Sequence, residues 1–237
     1  METKAISLIM PAYNEENTIE RAVESSIRKL EEHNFDYEIL IFDDGSTDKT
    51  AEIAYGLALK YPKIKVLRNT RNMNLGYNFA RGIWLASKPY AGLLPCHGLI
   101  AAESFDYILP AIGKADVVIA YIKNPGVRPL ARRIISLANV VLLNLIFGLR
   151  IRYYHLNFYR TDQLRKVPTS TRSYSLMVEL LVYLVASGAT TIEVPFFLRK
   201  RVSGKSKALR LKNITDILKT YSRLFWRIMV LKNRINL

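Results

Sequence analysis

Two short apolar runs, each cut off by a polar turn, constrain this chain more than any other feature. Residues 5–10 (AISLIM) stop at Pro11 and lead into Ala12-Tyr13-Asn14-Glu15. Residues 37–42 (YEILIF) lead into Asp43-Asp44-Gly45-Ser46. Apolar runs of this length bounded by turn formers read as buried strands. Between them, Ile19, Val23, Ile27 and Leu30 recur at helical spacing, which predicts a helix over 16–32 with Asn17 as its N-cap. The alternation continues with a helix over 48–60, a strand over 63–67 and a helix over 77–86. Strands over 91–94 and 115–121 flank a helix near 102–109; helices over 130–147 and 176–186 and a strand over 191–198 follow. Such alternation predicts an α/β fold with a doubly wound, mostly parallel sheet. Ligands of such sheets bind at the carboxyl ends of strands, so residues 11–14 and 43–46 are expected to share one crevice.

The 237 residues are 50% hydrophobic and 23% charged, enough to bury a core, which excludes disorder and a disulfide-stapled miniprotein. Cys96 is the only cysteine and cannot form an intrachain disulfide, in keeping with a reducing compartment. The net charge of +15 predicts an anionic partner. That charge is lopsided. Residues 1–119 carry 13 Lys+Arg against 16 Asp+Glu, or −3, and residues 120–237 carry 22 against 4, or +18. A net acidic first half without a recognised binding module argues against nucleic acid.

The basic half contains three features of interest. Residues 137–149 (LANVVLLNLIFGL) form a thirteen-residue apolar stretch between Arg132/Arg133 and Arg150/Arg152. A span needs roughly 20 apolar residues, so this is expected to be a buried or interfacial helix. Residues 199–207 (RKRVSGKSK) are a basic loop around Gly204, a composition suited to closing on a diphosphate. Residues 214–231 predict a basic amphipathic helix with Ile214, Ile217, Leu218, Tyr221, Leu224, Phe225 and Ile228 on one face. Such a helix either lies on an anionic membrane surface or docks on the protein's own core. The start of the chain shows no secretory signal pattern, because Pro11, Asn14 and Glu15 follow the short apolar run. Any membrane contact is therefore expected to be peripheral.

Taken in order, SLIMPAYNEENTIERAVES (7–25), YEILIFDDGSTDKTAEIA (37–54), ADVVIAY (115–121), YRTDQL (159–164) and IEVPFFLRKRVSGKSKALRLKN (192–213) resemble the family 2 glycosyltransferases. The resemblance is to the dolichol-phosphate mannosyltransferase-like branch, which uses polyprenyl phosphate. It implies a GT-A fold over residues 1–210, with a nucleotide-binding part at 1–119 and an acceptor part at 120–210, and a membrane-surface helix at 211–237. It further implies inverting transfer of a hexose from a GDP- or UDP-sugar to a polyprenyl phosphate, at the cytoplasmic side of a membrane. A glycan acceptor, or a catalytically impaired binding protein, remains open. By the same resemblance, Pro11, Ala12, Tyr13 and Glu15 cradle the nucleotide, and Asp43 and Asp44 contact its base or ribose. Arg199, Arg201, Lys205 and Lys207 close over the phosphates, and Arg132 and Arg133 face phosphate.

One departure stands out. Relatives carry an Asp-x-Asp-type motif that holds Mg²⁺ or Mn²⁺ on the donor diphosphate. Here Pro95, Cys96 and His97 occupy those positions. Hard divalent cations prefer oxygen ligands, so the residues present argue against a site built that way. Either His97, with His155 as a possible companion, supplies a cationic imidazole or binds a softer cation such as Mn²⁺ or Zn²⁺, or the metal site is eroded.

Overall fold

A computed structural model describes residues 4–152, 156–200, 217 and 219–228. Its centre is a single seven-stranded sheet of order β3-β2-β1-β4-β6-β5-β7. The strands are β1 (Ala5–Ala12), β2 (Asp36–Asp43), β3 (Ile64–Arg68), β4 (Tyr90–Leu93), β5 (Val117–Ile122), β6 (Leu156–Arg160) and β7 (Thr191–Phe196). Successive side chains on a strand face opposite ways, and both faces here are covered. Ile6, Leu8 and Met10 of β1 enter one core, with Tyr37, Ile39 and Ile41 of β2. Ile9, Leu40 and Phe42 enter the other. This is why both runs read as continuously apolar.

Helices α1 (Ile19–Glu32), α2 (Thr50–Lys60) and α4 (Phe105–Ile108) cover the first face. Helices α3 (Leu75–Leu85), α5 (Leu130–Phe147), α6 (Thr161–Lys166) and α7 (Leu176–Ala186) cover the second, together with the helical residues 219–228. All strand pairings are parallel except those of β6, which runs antiparallel to both β4 and β5. The carboxyl ends of the other six strands therefore share one edge.

Several local expectations are corrected. β1 does not stop at Pro11 but runs through it to Ala12. β4 ends opposite Ile9, so proline's missing N–H breaks no rung there, while its carbonyl still accepts from Cys96 N at 3.2 Å. α1 is capped at Thr18, not Asn17, and the Thr18 hydroxyl donates to the Glu15 carboxylate at 2.8 Å instead of capping the helix. β6 falls in a stretch where no strand was expected, since five residues give too short a pattern to separate from a turn. Strand β4 pairs with β6, so one sheet runs through residues on both sides of 119/120.

Helix α5 falls over the expected 130–147, and of the two readings offered for its apolar stretch it is not the buried one: only Val140 and Leu143 are buried. By length and composition it would suffice to cross a membrane. Leu130, Ile134, Leu137 and Leu145 are each more than half exposed. In contrast, the apolar face of residues 219–228 is largely spent on the protein itself. Tyr221, Leu224 and Ile228 are buried in the second core, leaving Phe225 and Trp226 outside.

Candidate active site

The loops after β1 and β2 are laced together by hydrogen bonds that the sequence specifies almost residue by residue. Asp44 N donates to Ala12 O, Asn14 N to Ser46 Oγ at 3.0 Å, and Thr47 N to Asn14 Oδ1 at 2.9 Å. Glu15 N donates to Thr50 Oγ1 at 2.8 Å and Glu16 N to Asp48 Oδ2 at 3.2 Å. Burial would raise the Asp48 pKa, but the hydrogen bonds from Thr50 and the Glu16 N–H hold it below the usual carboxylate value. Gly45 sits at φ +74°, and a Cβ there would stand 2.8 Å from the Arg71 backbone. Only glycine lets the 68–74 loop close over this turn.

Both aspartates are buried, and their roles diverge. Asp44 Oδ1 accepts from Asn69 Nδ2 and Met73 N, each at 2.8 Å, and Oδ2 accepts from Asn74 N at 3.0 Å. Asn69 is held in turn by Asn78 at 2.7 Å and Arg81 at 2.9 Å. Asp44 thus clamps the 69–74 loop, and its oxygens are already answered. Asp43 Oδ1 accepts from Ser46 N at 3.1 Å. Asp43 Oδ2 lies 3.0 Å from Arg68 Nε but is in no hydrogen bond, although fully buried. A buried carboxylate oxygen without a donor is costly, and an N–H or O–H of a bound nucleotide would supply one. Of the two aspartates, Asp43 is the one poised to touch a ligand.

Beyond β4 the chain continues alongside β1, with Leu94 N donating to Ile9 O and Cys96 N to Pro11 O. Cys96 is fully buried, its Sγ 3.8 Å from Met10 O. Burial, helped by the charge of Glu15, pushes its thiol far above the usual value, so it is no thiolate ligand. His97 Nδ1 accepts from Leu99 N at 3.2 Å, which commits one ring nitrogen. Among the described residues no group of three His, Cys, Asp or Glu side chains is placed to hold a metal ion. A hard divalent cation wants several oxygen ligands, and the residues here do not fit one. His155, Arg201, Lys205 and Lys207 lie outside the described residues.

Across β4 and β6, at the carboxyl end of β5, lies a cavity of about 360 Å³. Lys123, Arg128, Arg133 and Arg152 line it together with Tyr121 and Leu137, and among the described residues no acidic side chain does. Arg152 is held by Glu193 at 3.2 Å and stacks 4.5 Å over the Tyr121 ring. Arg133 thus reaches a basic hollow at the foot of the exposed face of α5, whereas Arg132 does not line it. Arg199 is exposed, and its backbone N–H donates to Leu99 O at 2.8 Å, beside the loop after β4. Pro11, Ala12, Tyr13, Glu15 and Asp43 therefore group at one end of the sheet edge, Arg133 at the other, with His97 and Arg199 between.

Sequence reasoning missed Asn69, Asn78 and Arg81, which carry Asp44, and Lys123, Arg128 and Arg152, which complete the cavity. Asn69 and Asn78 are buried polar residues that no periodicity marks. The cavity cations come from three separate segments, and only the fold brings them together.

A model of glycosyl transferase family 2 matches residues 7–178. Undecaprenyl-phosphate mannosyltransferase of Micrococcus luteus is 26% identical over 211 residues, covering 84% of this chain and 85% of that protein. Dolichol-phosphate mannosyltransferase of Pyrococcus furiosus is 28% identical over 232 residues, covering 92% of this chain but 63% of that protein, so this chain spans less than two thirds of its length. Among solved structures, glucosyl-3-phosphoglycerate synthase from Mycobacterium tuberculosis, in complex with Mn²⁺, UDP-glucose and phosphoglyceric acid, superposes with a TM-score of 0.70 at 16% identity. The match covers 94% of this chain and 80% of that one, a likeness of fold.

Proposed function

The chain belongs to glycosyl transferase family 2, and from that premise we propose that it moves a hexose from a nucleotide-sugar to a polyprenyl phosphate at a membrane surface. The donor is a GDP- or UDP-sugar, held by the loops after β1 and β2 with Asp43 receiving a hydrogen bond from the base or ribose. The acceptor phosphate sits in the hollow lined by Lys123, Arg128, Arg133 and Arg152. The observation that carries this reading is the pairing of that basic hollow with the exposed apolar face of α5 on the donor's edge of the sheet. An apolar helix beside a basic cavity suits a ligand with a phosphate head and a hydrocarbon tail. The two relatives named above act on lipid phosphates by their names, which agrees.

The chemistry asks little of the protein. A phosphate monoester has a second pKa of about 6, so the acceptor is largely dianionic at neutral pH. One of its oxygens attacks the anomeric carbon from the side opposite the diphosphate. The new carbon–oxygen bond forms as the bond to the diphosphate breaks, whose electron pair leaves on the nucleoside diphosphate, and configuration inverts. No proton has to be removed. Arginines positioned around two phosphates supply orientation and charge stabilisation, which is where such a site gains its rate.

The α5 face, with Arg132 and Arg133 in its first turn, is the surface we assign to the membrane, on the cytoplasmic leaflet. Residues 219–228 contribute Phe225 and Trp226 at its margin. The test is transfer of labelled hexose from UDP- and GDP-sugars into a lipid-extractable product, using anionic vesicles containing polyprenyl phosphate. Transfer only to soluble glycans would refute the lipid acceptor. Donor binding without any turnover would favour the impaired-binder reading that the replaced Asp-x-Asp motif motivates.

A further inference from the structure

We propose that this chain grips the donor diphosphate without a divalent cation, using the guanidinium groups of Arg21 and Arg199 around the loop where relatives carry their metal motif. The inference rests on the donor reading above and concerns how the same site holds its phosphates.

The first support is what the carboxylates are doing. Asp44 spends both oxygens on Asn69, Met73 and Asn74. Asp48 spends its two on Thr50 and the Glu16 N–H. Asp43 is engaged by Ser46 N and faces Arg68. The loop after β4 offers a buried thiol and a histidine whose Nδ1 is taken. Among the described residues no group of three such side chains gives a divalent ion the oxygen count it needs.

The second support is what surrounds that loop. Gly98 lies at φ +63°, and a Cβ there would stand 3.4 Å from Arg21 Nη2 and 3.4 Å from Thr18 Cβ. The N-terminal turns of α1, directly after the nucleotide loop, thus lay a guanidinium against the loop after β4. From the other side, the end of β7 is stitched to the same loop. Ala101 N donates to Phe197 O at 2.9 Å, Ile100 bridges Leu198, and Arg199 N donates to Leu99 O. This fixes Arg199 two residues from His97. Both arginines are exposed, and among the described residues neither side chain makes a hydrogen bond or ion pair. Asp44 and Asp48 are answered within the protein, whereas these two cations flank the loop after β4 with their charge available to an anion. Guanidinium groups bind phosphate oxygens through paired N–H donors, and two of them match the charge of one divalent ion.

The test is calorimetric titration of the full chain with UDP, GDP and the matching monophosphates, with EDTA and then with Mn²⁺. The diphosphate Kd should change by less than about twofold between the two buffers, and Mn²⁺ titrated alone should give no heat of binding. Arg21→Ala and Arg199→Ala should each weaken the diphosphate by about tenfold while leaving the monophosphate within about twofold. Arg28→Ala, on the same helix but paired with Glu32, serves as the control for general charge and should change neither. Thermal melts of the variants should match the parent, since both side chains are exposed. Diphosphate binding that collapses in EDTA and returns with Mn²⁺ would overturn the inference and leave the donor reading intact. So would arginine variants that bind diphosphate like the parent. Absence of any nucleotide binding in either buffer would overturn the donor reading and this inference together.

Discussion

The two ends of one sheet edge are built on opposite electrostatic plans. Beneath β1, β2 and β3, Asp44 is buried and answered by backbone N–H groups and by the Asn69–Asn78–Arg81 chain, so the nucleotide loops are assembled before any ligand arrives, with one oxygen of Asp43 left short of a donor. Beneath β5 and β7, four cations line a cavity with no acid among its described lining, and Glu193 outside it holds Arg152. The acidic end is largely tied together by the protein's own donors; the basic end gathers cations around a hollow. The overall +15 therefore describes neither end, and the −3 and +18 of the two halves describe both.

The largest effect that could break this contrast comes from Asp44. Asp44→Ala strands the Met73 and Asn74 N–H groups and the Asn69 amide, and should cost roughly 3 kcal/mol or more of stability along with nucleotide binding. Urea unfolding monitored beside UDP and GDP titration would check it, and a variant of parental stability would mean the clamp is not needed. Next comes Glu179, fully buried in α7, which accepts from Ser170 and Thr171 and from Arg227 at 3.2 Å. Glu179→Ala should cost about 3 kcal/mol by leaving those donors unpaired, read as a lower denaturation midpoint.

At the basic end the effects should fall on ligands and not on folding. Arg133→Ala should raise the KM for polyprenyl phosphate by about tenfold with an unchanged melting temperature. Equal KM values in parent and variant would remove the acceptor from this hollow. Leu137→Glu and Leu145→Glu, on the exposed face of α5, should each lower binding to anionic vesicles by about tenfold, or about 1.4 kcal/mol, and leave stability within about 0.5 kcal/mol. Vesicle sedimentation would decide it.

The smallest effect is one of pH. The Asp48 carboxyl is held below its usual value, so the stability it contributes is present above the unfolded pKa of about 4 and is lost as pH falls through the folded value. Asp48→Asn should flatten that acid limb in denaturation measured across the range, and an unchanged slope would assign it to other carboxylates.

Much of the donor end was legible because it is local. An apolar run, a turn and a helix signal sit within about a dozen residues, so β1, β2 and the loops behind them follow from pattern alone. The distinction between Asp43 and Asp44 was not legible. Adjacent in sequence, one is satisfied by a loop 25 to 30 residues away and the other is left short of a donor. β6 was invisible for a different reason: a five-residue antiparallel strand exists only because β4 and β5 flank it.

The helices of the basic half show the same limit. Both α5 and residues 219–228 carry apolar stripes, and periodicity cannot say which stripe meets the core. The fold buries Tyr221, Leu224 and Ile228 and leaves most of α5 outside, the reverse of the emphasis that composition suggests. What the sequence determined by itself was the sheet, the family and the nucleotide loops, since backbone pairing and turn chemistry are encoded by near neighbours. What the tertiary structure decided was which charged groups meet. That depends on distant segments brought together: Arg21 against Gly98, the backbone of Arg199 against Leu99, Glu193 against Arg152, and four cations around one hollow.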